Sequence, residues 1–201
     1  MRTKFKAWAE PYINEHPEYA LSDEQIQSLD DFYLEIGSGK GEFLLRMSKK
    51  FPEYQFLGIE KNVTCAGIAL KKIVEAESNN VKFLHRDAAE VVKFIKDKSV
   101  NIIYLNFSDP WPKRRHYKRR LTSVSFLDEY KRILKNDGCL IFKTDNLDLF
   151  EYSLEMFETS GLKIKSVSYD YDGLDELDAQ TEYEEFFRKE GTPIKRVVVT
   201  L

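Results

Sequence analysis

Four carboxylates stand where an apolar run gives way to a turn: Glu35 in EIGSGKG (35–41), Glu60 after QFLGI, Asp87 after VKFLHR, and Asp109 in FSDPWP. In the first, Gly37, Gly39 and Gly41 let the backbone turn tightly and approach a ligand that a Cβ would block. Glu60 follows Gly41 by 19 residues, where a carboxylate can accept two hydrogen bonds from vicinal ribose hydroxyls. Asp87 is placed to meet an adenine amino group. Dinucleotide folds use G-x-G-x-x-G and seat pyrophosphate over a helix N-terminus. Here the spacing is G-x-G-x-G behind an acid, which repels a pyrophosphate and suits an ammonium or sulfonium. A nicotinamide dinucleotide, or a tight turn with solvated acids, are the competing readings.

Asp109 precedes Pro110-Trp111-Pro112, and the two prolines restrict the loop and bias their neighbours away from helix. Asp109 so held can accept from guanine N1–H and N2–H₂, or offset positive charge on a methylated ring. Alternatively it forms a turn and Trp111 is a core aromatic. Residues 113–120 contain six basic side chains among eight and no acid: Lys113, Arg114, Arg115, Lys118, Arg119 and Arg120, interleaved with His116 and Tyr117. Arginines bind phosphates bidentately and tyrosine stacks on bases. Such a run alone is as readily a solvated face; next to Asp109 it points to RNA or DNA. KTDN (143–146) offers Asp145 as a second group for a base edge, or with Asn146 an ordinary helix cap.

These residues need elements to bring them together. Strand-like runs FYLEIG, QFLGIE, VKFLHRD, VNIIYLNF and CLIFKTD alternate with the helical stretches GEFLLRMSKK, NVTCAGIALKKIVEAE, AAEVVKFIK, TSVSFLDEYKRILKNDG and LDLFEYSLEMFETSG. The fourth helix is expected to be capped by Thr122 or Ser123 and to end at Gly138. LKIKSVSYDY and KRVVVTL follow as terminal strands around an acidic loop. This order predicts an α/β fold with a mostly parallel seven-stranded sheet and helices on both faces, ligands lying at the carboxyl ends of the strands. At 201 residues, 42% apolar and 32% charged, the chain is expected to form one globular domain, with residues 1–30 an N-terminal extension. The net charge of −3 says nothing for nucleic acid, but its distribution does: residues 170–190 hold nine acids against two bases, far from the basic run. Cys65 and Cys139 form no metal-spaced pair and suggest a reducing compartment. No apolar run reaches membrane-span length and residues 1–10 lack a signal-peptide core, so the expectation is a cytoplasmic protein without a membrane partner.

EIGSGKG with Glu60 and Asp87 resembles the first motifs of class I S-adenosylmethionine-dependent methyltransferases. FSDPWPKRRHYKRRL, KTDN and TEYEEFFRKEGTPIKR (181–196) carry a more specific resemblance, to the bacterial tRNA (guanine-N7)-methyltransferases, running from Trp8 to the last strand. That resemblance implies a Rossmann-like fold, S-adenosyl-L-methionine as cofactor, and N7 of a guanosine in the tRNA variable loop as acceptor. It implies that Glu35, Gly37, Gly39, Glu60, Asp87 and Asp109 surround the cofactor, with Asp109 also catalytic. Lys113, Asp145, Thr181, Glu182, Tyr183 and Glu184 would contact the guanosine; Arg115, His116, Tyr117, Lys118, Arg119 and Arg120 would contact tRNA. Phe186 departs from the pattern, since many members carry a basic residue there. Residues 181–184 read without the resemblance are a plain helix start.

Guanine N7 carries a free in-plane lone pair, so the expected chemistry needs alignment rather than a strong base. His16, His85 and His116 are scattered and have no assigned catalytic role, and no metal is expected. Two rivals make different predictions: an exocyclic-amine methyltransferase, whose motif has proline where Trp111 stands, and a non-enzymatic RNA-binding protein, which would not need the cofactor carboxylates. Monomer and homodimer are both open.

Overall fold

The computed structural model describes residues 3–201. Two short helices, α1 (Ala9–Glu15) and α2 (Asp23–Ser28), precede β1 (Phe32–Ile36). Alternation then runs α3 (Glu42–Lys50), β2 (Gln55–Ile59), α4 (Val63–Glu75), β3 (Val81–Leu84), α5 (Ala88–Val91), β4 (Val100–Asn106), α6 (Val124–Ile133), β5 (Leu134–Thr144), α7 (Leu147–Thr159) and β6 (Lys163–Ser168). Last come α8 (Glu182–Lys189) and β7 (Lys195–Thr200). The strands form one sheet in the order β3-β2-β1-β4-β5-β7-β6. β1 to β5 pair in parallel, and β7 inserts antiparallel between β5 and β6. This is the Rossmann-like, mostly parallel seven-stranded sheet expected. Chain order reverses between β1 and β4, which opens a crevice at their carboxyl ends.

Side-chain alternation divides the core into two layers. Leu34, Ile36, Ile103, Leu105 and Phe142 face α6 and α7 on one side, packed with Leu127, Tyr130 and Phe150. Tyr33, Tyr104 and Ile141 face α3 and α4 on the other, with Phe43, Met47, Ala66 and Ala69. β4 is buried on both faces, which is why it reads as an unbroken apolar run.

Two expectations are corrected. The helix thought to run to Gly138 stops at Ile133, and β5 begins at once with Leu134, whose backbone is extended (φ −64°, ψ 136°). The register shifts between Val100 and Ile102, opposite Leu134 and Cys139, and Gly138 lies in that irregularity. A Cβ there would stand 2.8 Å from the Asn101 carbonyl oxygen, so the glycine permits a close strand approach rather than ending a helix. Ser123 holds the cap position without a side-chain cap bond, and the Thr122 hydroxyl instead meets Ser153 Oγ (2.8 Å). Between β6 and β7 the acidic stretch is not all loop: it contains α8, whose cap is Thr181, the hydroxyl accepting from the Glu184 amide (2.9 Å). In the N-terminal extension, Ala9 is fully buried against α4, and the Lys6 amide donates to Thr64 Oγ1 (3.1 Å). Among the described residues no helix is long and apolar enough to cross a membrane.

Candidate active site

The turn after β1 is pinned by its neighbour: the amides of Gly37 and Ser38 both donate to the Ile59 carbonyl (2.8 and 3.1 Å). Gly37, Gly39 and Gly41 all have positive φ, and at Gly41 a Cβ would come within 2.8 Å of Ala69 Cβ, so α3 can start here only because α4 meets bare backbone. The turn opens onto a cleft of 1110 Å³ along the carboxyl ends of the strands. Glu35, Gly37, Gly39, Glu60, Asp87, Asp109, Asp145, Thr181, Glu182 and Tyr183 all line it, together with Lys118 and Arg119 from the basic run. Residues separated by up to 148 positions in the chain thus share one wall, as the fold requires.

Glu35 is 3% exposed. Its Oε1 accepts from Asn106 Nδ2 (2.9 Å), while Oε2 is buried with no hydrogen-bond partner. Burial pushes its pKa up to about 7, against the opposing effects of Asn106, Ser38 and Lys143. A buried carboxylate oxygen with an open lone pair, facing a cleft, is what a cationic group requires. The amino-acid ammonium and sulfonium of S-adenosylmethionine fit that demand. Glu60 Oε2 accepts from the Gly39 amide (3.0 Å) and Oε1 from the Asn62 amide (2.7 Å), so the carboxylate is held rigid with a lone pair on each oxygen still open. Burial, and secondarily the charge of Asp109, raise its pKa. Asp87 caps α5 through the Ala89 amide (2.9 Å) and keeps its other oxygen 4.0 Å from Lys61 Nζ.

Asp109 is exposed at the cleft, on a loop whose flanks are strained. Phe107 (φ 51°) and Trp111 (φ 41°) both occupy the left-handed region, which costs about 1–3 kcal/mol per non-glycine residue. Three contacts hold this shape. The Phe107 amide donates to the Lys143 carbonyl (2.8 Å), and its ring lies nearly parallel to Tyr183 and Phe187 of α8 at 6.1 and 5.9 Å. Arg120 Nε donates to the Pro110 carbonyl (2.9 Å) from a guanidinium sandwiched over Tyr117 and Tyr152, 3.7 and 4.3 Å from the ring centres. Trp111 lines the cleft and is therefore no core aromatic; Arg119 lies over its ring at 5.0 Å.

Two expected ligand contacts are placed otherwise. Arg120 is 3% exposed and donates inward to the loop, from Nε to the Pro110 carbonyl and from Nη2 to the Trp111 carbonyl (3.5 Å), rather than presenting its guanidinium at the surface. Glu184 is 1% exposed, accepting from Lys143 Nζ (2.9 Å) and Arg188 (2.8 Å) behind the cleft wall. Burial alone would raise its pKa, but the two cations outweigh it and hold the carboxyl below the usual glutamate value. Both positions looked like ligand groups because sequence shows their charge and not their direction. Lys113 caps the 3₁₀ turn Arg114–Arg119 and is exposed outside the cleft, as are Arg114 and Arg115, while His116 is half-buried edge-on to Trp111. The cap of α7 is Asn146, accepting from the Leu149 amide (2.8 Å), which leaves the Asp145 carboxylate to the cleft. Phe186 is 51% exposed and outside the cleft. Missed by sequence reasoning were Asn106, which orients Glu35, and Lys143, wholly buried and bonded to Asp178 (2.7 Å), Ala179 and Glu184. Asn106 and Lys143 are register partners across β4 and β5, and Asn106 follows Tyr104, partner of Glu35, by two residues. Their place at the ends of adjacent strands was the available signal.

A family described as "Putative methyltransferase" matches residues 30–197. A tRNA (guanine-N(7)-)-methyltransferase of Lactobacillus johnsonii is 44% identical over 209 residues, 96% of each chain. One of Oceanobacillus iheyensis is 42% identical over 206 residues, covering 98% of this chain and 97% of the relative. Among solved structures, a SAM-dependent methyltransferase from Aquifex aeolicus superposes with a TM-score of 0.59 at 17% identity over 98% of both chains. An antibiotic-related methyltransferase gives 0.65 at 18% identity, covering 90% of this chain and 95% of the other; these two likenesses speak for the fold. With near-full-length identity above 40% to such relatives, the chain belongs to the tRNA (guanine-N(7)-)-methyltransferase family.

Proposed function

We propose that the cleft transfers a methyl group from S-adenosylmethionine to N7 of a guanosine in the tRNA variable loop, with Asp109 as the catalytic residue. The make-up of one cleft carries this reading: carboxylates Glu35, Glu60, Asp87 and Asp109 from four strand ends line it together with Lys118 and Arg119 of the basic run. When bound, S-adenosylmethionine supplies an electrophilic methyl on a sulfonium. Glu35 takes its ammonium on the open oxygen, Glu60 its ribose hydroxyls and Asp87 its adenine, while Gly37 and Gly39 admit it close to the backbone. Asp145, Thr181, Glu182 and Tyr183 hold the guanosine, with Glu182 accepting from its N1–H and N2–H₂ edge.

N7 needs no deprotonation, so the protein's work is to bring the N7 lone pair in line with the methyl; alignment of this kind is worth about 7–11 kcal/mol. Asp109, fixed by its strained loop, offsets the positive charge that grows on the ring as N7 is alkylated. Lys113, expected at the guanosine but exposed outside the cleft, joins Arg115, His116, Tyr117, Lys118 and Arg119 as a contact to the RNA around the acceptor. Arg120 and Glu184 serve by holding the loop and α8 in place. Residues 1–201 act as one methyltransferase domain in the cytoplasm, residues 1–30 being an N-terminal extension.

The test is direct. The protein is incubated with unmodified tRNA and methyl-labelled S-adenosylmethionine, and the RNA is digested to nucleosides. Label in 7-methylguanosine is expected. Label in an N2-methylated guanosine would favour the exocyclic-amine chemistry, and tRNA binding without label would leave only an RNA-binding protein.

A further inference from the structure

Glu182 is not free in the cleft. Lys72 Nζ bonds its Oε1 at 2.8 Å and Lys40 Nζ lies 3.3 Å from its Oε2, so both oxygens are tied and the plane of the carboxylate is set. Lys40 belongs to the glycine-rich turn after β1, while Lys72 projects from the last turn of α4 and is itself held by Glu42 Oε2 (3.0 Å) at the start of α3. Lys40 and Glu42 line the cleft; Lys72 does not. We infer that Lys72 is a positioning residue for the acceptor base, aiming Glu182 at the guanine edge from behind the cleft wall and linking it to the cofactor turn.

This rests on Glu182 being the group that reads guanine. Each of its oxygens has two in-plane lone pairs. One per oxygen is engaged by a lysine, and one on each oxygen remains for a ligand in the cleft that Glu182 lines. That leaves two parallel acceptors, matching the two parallel N–H donors at N1 and N2 of guanine. A base with an acceptor on that edge is refused. Burial works to raise the Glu182 pKa, but the bond and charge of Lys72, with Lys40, outweigh it and keep the carboxylate ionised, as an acceptor-only role demands. Since Lys72 touches neither ligand, its loss should disturb placement of the base and not the affinity for either partner.

Three variants, Lys72→Met, Lys72→Arg and Glu182→Gln, and the double variant Lys72→Met/Glu182→Gln, would be assayed for turnover on unmodified tRNA. Affinities for tRNA and for S-adenosylhomocysteine, and thermal midpoints, would be measured alongside. Lys72 is a partly exposed helix residue, and methionine keeps the helix propensity. Lys72→Met is expected to lower kcat about tenfold, with both affinities within about twofold of wild type. Lys72→Arg should restore most of the rate. In the Glu182→Gln background the Lys72 substitution should add nothing, because both act through one carboxylate. If the two losses add, or if Lys72→Met leaves kcat unchanged, the inference about Lys72 fails while the role of Glu182 stands. If Glu182→Gln alone keeps full turnover, the reading of Glu182 fails, and the inference with it.

Discussion

Asp109 and Glu35 are both cleft carboxylates, yet their surroundings set them to opposite tasks. Asp109 is exposed on a strained loop, so its carboxyl group is open to a cation forming beside it. Replacing it with asparagine keeps the shape and removes the charge. Single-turnover methylation by Asp109→Asn should fall about 100-fold or more, the scale for deleting one preorganised electrostatic contact, while the thermal midpoint holds. Full turnover with the guanosine placed as before would remove Asp109 from the chemistry. Glu35 is instead buried with a pKa of about 7, above the ordinary 4.5. The folded, ligand-free chain therefore keeps this proton through a range in which the unfolded chain has lost it, and on this group's account stability falls as pH rises from 4.5 to 7. A bound ammonium favours the ionised form, so the ligand must expel the proton. Affinity for S-adenosylhomocysteine, read by calorimetry, should weaken by up to about tenfold per pH unit below 7, with proton release on binding. Glu35→Gln should bind weakly with a flat profile; a sloped profile in that variant would assign the titration elsewhere.

Among the elements, α8 depends most on charges that its own sequence does not reveal. TEYEEFFRKE reads as part of an acidic loop with a plain helix start at 181–184, and only the fold brings Lys143 of β5 beneath it. Lys143 was legible as a strand residue at a ligand edge, but its direction was not. It has no exposure and three partners, Asp178 and Ala179 in the segment leading into α8 and Glu184 within the helix. Lys143→Met would take from two buried carboxylates the cation they share, leaving Glu184 with Arg188 alone and Asp178 with Arg196 at 3.5 Å, and loss of one member of a buried pair costs about 3–5 kcal/mol. Urea unfolding should report a loss of that size. A variant within about 1 kcal/mol of wild type would mean that Asp178 and Glu184 take up protons or water without strain. The β5 boundary was hidden for a related reason. KRILKNDG carries helical spacing and a glycine stop signal, and what overrides it is the pairing of Leu134 with Val100 across the sheet. Helices α3, α4 and α7 were readable from sequence, the stretches GEFLLRMSKK, NVTCAGIALKKIVEAE and LDLFEYSLEMFETSG each covering the observed span.

On the scale of the whole molecule the net charge of −3 conceals a division of labour. The parallel order of β1 to β5 gathers every strand's carboxyl end on one rim, so acids that sequence could assign only to separate turns become one cleft. The same topology sends β6 back to begin at the opposite rim: its first residue pairs with Thr200, which pairs in turn with Cys139 at the amino half of β5. Lys163 and Lys165 are thus exposed lysines remote from the cleft, whereas Arg115 lies in the exposed run beside it and Arg119 at its mouth. Counterion release makes this difference measurable. The log–log slope of tRNA affinity against salt changes by about 0.7–0.9 for each phosphate neutralised. Arg115→Gln with Arg119→Gln should therefore make the slope shallower by about 1.4–1.8 and weaken binding at low salt, with S-adenosylhomocysteine affinity unaltered. Lys163→Gln with Lys165→Gln removes the same formal charge and should leave the slope as it was. Equal changes in the two pairs would mean that tRNA senses only total charge, and the basic run would lose its standing as the surface that delivers the guanosine to Asp109.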